Sequence, residues 1–167
     1  FQSAVEIPKV CAWLETQALE FPVAVLSAFR IMATEQPQKT ALTAAMIAHL
    51  VLKPGAHSTE SGKASLGMRV MEHLIHMFGQ DVDAHYWRNA RLVLHVFVAL
   101  APLGVVSSAS LRRTIKAFVD VLSSDGVSRD VADPAADCVI EAMCRGGTDL
   151  IQPEPGALEA CLLYTSP

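Results

Sequence analysis

The stretch RLVLHVFVALAPLGVVSSAS, residues 91–110, is the most apolar window of the chain. From Leu92 to Val106 only His95, Pro102 and Gly104 interrupt the apolar side chains. A membrane-spanning helix needs about 20 consecutive apolar residues. This run is shorter, carries a histidine, and closes on Pro-Leu-Gly, the stop signals of an ordinary helix. It reads as the second half of one helix, a hydrophobic corner from Leu103 to Val106, and the start of another helix. Ser108 or Ser110 would cap that next helix.

Outward from this window, nearly every apolar cluster recurs at three and four residues, the helical period, and no alternating strand pattern of any length occurs. The spacing predicts seven helices: Pro8–Ala18, Pro22–Thr34, Gln38–Leu52, Lys63–Phe78, Ala84–Ala101, a sixth from near residue 109 to Leu122, and Asp133–Arg145. Pro8 and Pro134 fit the first helical turn, where a missing N–H costs nothing. Pro54-Gly55, Gly79 and Gly146-Gly147 read as stops. The second helix has Arg30 as its one charge before Glu35, so it should be nearly surrounded. In the fourth, Leu66, Val70, Leu74 and Met77 face inward, and Arg69, Glu72, His73 and His76 face out. In the fifth, Arg88, Asn89, Arg91 and His95 form the polar side. Residues 54–62 form a polar loop, and Ser123 to Gly126 a turn.

The 167 residues suit one domain or a piece of a larger one. A start at Phe1 and an end at Pro167 read as an interior slice. Residues 1–151 form the helical domain, and residues 152–167, which include QPEPG, read as a linker or a non-native tail. Hydrophobic residues make up 51% and charged residues 18% of the chain, so much of it is core or is covered by a partner. The net charge is −4, with basic residues scattered among acids. A nucleic-acid backbone is gripped by clustered Lys and Arg, so direct strong RNA or DNA binding is disfavoured. Cys11, Cys138, Cys144 and Cys161 include no C-x-x-C pair, which argues against a zinc knuckle or a disulfide framework. Reduced, buried thiols point to cytosol or nucleus.

Pairing helices two with three, four with five, and six with seven gives hairpins beginning near residues 22, 63 and 109. A period of roughly 40 to 47 residues in antiparallel helix pairs is the signature of HEAT-like arrays. The expected fold is all-α, a right-handed stack of antiparallel helical hairpins, in which neighbours share one core and leave long faces free.

Three segments carry a family resemblance. FPVAVLSAFRIMATEQPQKTALTAAMIAHLV, residues 21–51, resembles one helical hairpin of the large subunit of the nuclear cap-binding complex. GMRVMEHLIHMFGQDVDAHYWRNARLVLHVFVALAPLGVVSSASLRRTIKAFVDVL, residues 67–122, resembles the next hairpin and the helix after it. The shared features are the long fourth helix, a short break, the Tyr86-Trp87-Arg88 helix start, and the apolar corner leading to a Ser-rich cap. SSDGVSRDVADPAADCVIEAM, residues 123–143, resembles the following helix, although DPAADCVIEAMCRGG is smaller and less aromatic than the family pattern. The resemblance implies the fold of the initiation-factor-four-G middle domain and the role of a nuclear scaffold. Such a subunit supports cap binding by a small RRM subunit and docks RNA processing, splicing, export and decay factors. Capped RNA is then met only indirectly, and no cap-binding residue carries over.

Catalytic, cofactor and metal sites are not expected. His73 and His76 with Glu72 share a helix face but lack H-E-x-x-H and a third ligand. His85 with Asp81 and Asp83 is a second loose set, and His95 would satisfy a hydrogen bond near a neighbouring helix end. Ser107, Ser108 and Ser110 follow no nucleophile-elbow pattern. The residues that could contact a partner are the basic ones, Arg88 and Arg91 beside Tyr86 and Trp87, and Arg112, Arg113 and Lys116. Otherwise Tyr86 or Trp87 packs under the previous hairpin and the cations are solvated. Two other readings stay open: a different middle-domain-type scaffold in translation or mRNA decay, and an all-α enzyme or metal site using the histidines.

Overall fold

The computed structural model describes residues 3–53, 64–122 and 126–147. The expected polar loop, most of the Ser123–Gly126 turn, the tail and Cys161 lie outside the described residues. Within them the chain is helical and no strand occurs. The helices are α1 (Ser3–Glu20), α2 (Pro22–Glu35), α3 (Thr40–Leu52), α4 (Leu66–Asp83), α5 (Trp87–Leu100), α6 (Ser108–Leu122) and α7 (Arg129–Gly146). A 3-10 turn, Pro37–Lys39, links α2 to α3. No helix among the described residues is long and apolar enough to cross a membrane.

Helix α5, which carries the first half of the quoted stretch, is the hub. It packs against α3 on one side and α7 on the other, and against α4 and α2 as well. This is why its sequence is apolar nearly all round: Ala90, every residue from Leu92 to Val98, and Leu100 are buried. Each fully buried Val, Leu or Phe contributes about 1.5–3 kcal/mol relative to exposure. The helix ends where Val105 N–H bonds the Leu100 carbonyl at 3.2 Å, with Gly104 in the left-handed region at φ 75°. A side chain at Gly104 would be strained, so the apolar corner depends on that glycine.

Helix α4 closes on α3 by a second glycine. A Cβ on Gly67 would lie 2.6 Å from the Leu50 carbonyl carbon, so only a hydrogen lets the two backbones meet. Ser65 caps this helix, its hydroxyl accepting from Met68 N–H at 3.3 Å. Ser107 holds the same post before α6, accepting from Ser110 N–H at 3.1 Å, in place of the expected Ser108 or Ser110.

Several boundaries differ from expectation. Helices α1 and α7 begin at Ser3 and Arg129, one turn and more ahead of Pro8 and Pro134, which sit inside them. A proline deep in the first two turns gives up at most one ladder bond, and Glu6 and Asp130 in the first turns favour the positive helix start. Gly79 does not stop α4. The helix runs on to Asp83 because Asp81 and Val82 pack inward. It closes at His85, where Tyr86 N–H bonds the Asp81 carbonyl at 2.7 Å. Helix α2 is less surrounded than expected, with Val23 and Ile31 exposed. Trp87 packs edge-on against Phe118 of α6, the following hairpin and not the previous one, and Tyr86 is exposed.

Candidate functional site

Two features meet at the first turns of α5: an open groove and a part-buried polar seam. The groove lies between α4 and α6, where the Phe78 and Phe118 rings touch edge-on at 6.0 Å. Its volume is about 690 Å³, and Phe78, Val82, Trp87, Ala117, Phe118 and Val131 give it an apolar lining. Asp83, His85, Arg113 and Thr114 supply the polar lining. The His85 and Trp87 rings stack face to face, 5.7 Å apart and 7° from parallel. His85 adopts φ 60° at the helix stop, the conformation that Gly104 supplies for α5. A left-handed residue with a side chain costs about 1–2 kcal/mol, so the stacked imidazole is held there against local strain.

The seam runs along the α5–α7 contact. Trp87, Arg91 and His95 recur every four residues on α5, and Cys138, Glu141 and Arg145 recur at three and four on α7. Two such stripes lie along one face of each helix. The Cys138 thiol reaches the Trp87 carbonyl at 4.0 Å. Arg91 Nη1 donates to Glu141 Oε1 at 3.0 Å. His95 Nε2 lies 2.9 Å from Glu141 Oε2, off the line of a good hydrogen bond, and His95 Nδ1 has no partner. His95 is only 3% exposed, so the expectation that it lies on the polar outer side with Arg91 is corrected. That side of α5 is covered by α7.

Burial lowers the His95 pKa below the ordinary imidazole value, and Arg145 and Arg91 push the same way against the nearby Glu141. Burial raises the Cys138 thiol to about 11, so it stays protonated at neutral pH. A thiol in that state is a poor nucleophile.

A smaller set forms where α2, α4 and α5 converge. Asp81 is buried with Oδ2 unpartnered, and burial raises its pKa despite the pull of Arg30 and an Asn89 hydrogen bond. Burial lowers the His73 pKa, with Arg30 and His76 adding to the effect. His73 is thus turned partly inward, against the expectation that it faces out, while Glu72 and His76 are exposed.

The five basic residues expected at a partner surface are divided. Arg88 is exposed and lines a cleft with Ser27, Arg30 and Glu35. Arg91 is engaged by Glu141. Arg112 is half-buried and Arg113 lines the groove. Lys116 pairs with Asp120 at 2.7 Å on the exposed side of α6. Among the described residues no group of three His, Cys, Asp or Glu side chains is placed to hold a metal ion, so the His73 and His85 sets do not converge. Sequence reasoning missed Glu141. The signal was available in the matching four-residue stripes of α5 and α7, once the two helices are known to pack.

Comparison with protein-family models, curated proteins and solved structures finds no match. The functional reading therefore rests on the residues and their arrangement.

Proposed function

We propose that this chain is a protein-docking scaffold of HEAT-like helical hairpins, of the kind found in the large subunit of the nuclear cap-binding complex. In this reading it works in the nucleus, steadies a small RRM subunit that holds the RNA cap, and offers its helical faces to RNA processing and export factors. It performs no reaction of its own. One observation carries the proposal: α3, α5 and α7 lie side by side around a common core, while α4 and α6 part along a 690 Å³ apolar groove. An apolar groove with a few polar residues at its edge suits the side chains of a protein partner. The acidic balance of the chain fits indirect contact with RNA.

The test is co-purification of the chain with an RRM subunit on a cap-analogue resin. The chain should be retained only when the RRM subunit is present. Ala117→Glu, which places a charge in the groove at an exposed position, should weaken docking of processing factors and leave the fold intact. Absence of any RRM-dependent retention overturns the cap-complex reading. Stoichiometric zinc or iron in the purified chain would favour the enzyme reading instead.

A further inference from the structure

The α5–α7 seam has a property that docking does not require. Glu141 faces two basic side chains at once, Arg91 at 3.0 Å and His95 at 2.9 Å, while the exposed Asp137 on the same helix acts on Cys138. Arg145, one turn on along α7, adds a further positive charge that acts on His95. Helices α2, α3 and α4 also pack on α5, yet among the described residues they bring no charged group to bear on this imidazole. The ring is almost fully enclosed and its Nδ1 has nothing to bond.

We propose that His95 and Glu141 form a proton-operated latch that holds α7 against α5 when the imidazole is neutral and releases it on acidification. A proton added to Nδ1 creates a buried N–H without an acceptor, which is unfavourable and more so on a charged ring. It also adds a buried third cation to one carboxylate already faced by the part-exposed Arg91 and approached by the exposed Arg145. The neutral ring adds no third cation and, with its one N–H on Nε2 toward Glu141, leaves a bare lone pair and no stranded N–H at Nδ1. Helix α7 is the element free to respond, because α5 and α6 are its main packing partners among the described helices. Its release would also move Val131, which lines the groove, and the Cys138 contact with Trp87. The inference stands apart from the identity of any docked partner.

The sign follows from the direction of the shift. A histidine pKa lowered in the folded state contributes stability that is present above the ordinary imidazole value, about 6.5. It is lost as pH falls from there through the lower folded value. Denaturation midpoints of the whole chain, measured between pH 7.5 and 5.0, should drop on the acid side for the wild type. His95→Gln should flatten that drop, whereas His73→Gln should retain most of it. If His95→Gln fails to fold, the wild-type imidazole resonances decide: His95 should titrate below 6.5, and α7 amides should lose protection several-fold more than α3 amides over the same pH range. An unchanged acid slope in His95→Gln, an ordinary or raised His95 titration, or equal loss of protection in α3 and α7 overturns the latch.

Discussion

The two long sides of α5 are built differently. Toward α3 the chain brings Ala44, Met46, Ile47, Ala48, Leu50 and Val51, all buried and without a charge. Toward α7 it brings buried Ala135, Cys138, Val139 and Ala142 together with the Arg91–Glu141–His95 cluster. The first side gains stability from apolar area, which depends little on pH. The second joins apolar packing to a cluster that depends on the protonation of one ring. One helix thus joins a fixed half of the molecule to a conditional half, and the groove between α4 and α6 lies on the conditional side.

Changes on the apolar side should have the largest effects. Ile47, with no exposed surface, should cost about 2–5 kcal/mol when changed to Ala, and the loss should be equal at pH 7.5 and 5.5. A pH-dependent loss in chemical denaturation would break the contrast. Gly67→Ala should cost about 1–3 kcal/mol despite the better helix propensity of alanine, because the new methyl meets the Leu50 carbonyl group. Unchanged or raised thermal stability would show that α4 can retreat from α3 without penalty. Asp81→Asn sharpens the point about buried ionisable groups. Burial raises the Asp81 pKa, so its contribution is present below the ordinary carboxylate range and is lost as pH rises. The Asn variant should therefore be slightly more stable than wild type at neutral pH, with the gain shrinking toward pH 4 in urea titrations. Lys116→Ala should be the smallest, within about 0.5 kcal/mol, since the Asp120 pair is an exposed i, i+4 contact.

The helical class and the core were legible because period-3.6 apolar spacing depends only on the chain itself. Leu66, Val70, Leu74 and Met77 were all read as inward and all are buried. What failed was whatever depends on a neighbour. Arg91 and His95 read as a solvated side because a charged stripe usually faces water, and a single helix does not announce that a second helix carries the complementary Glu141. Pro8 and Pro134 read as helix starts because proline favours the first turn, yet each is the sixth residue of its helix. Gly79 read as a stop because glycine is the default residue there, whereas the left-handed stop is filled by His85. The groove was illegible for the same reason: Phe78, Trp87 and Phe118 come from three helices, and only their meeting creates it.

Amide hydrogen exchange across the whole chain, followed at pH 7.5 and 5.5 with intrinsic rates accounted for, tests the central claim most directly. The account predicts that α3 and α5 form the slowest-exchanging unit at both pH values, while α7 matches them only at the higher one. Fast exchange in α5 at pH 7.5, or an α7 as protected at pH 5.5 as at 7.5, would contradict it.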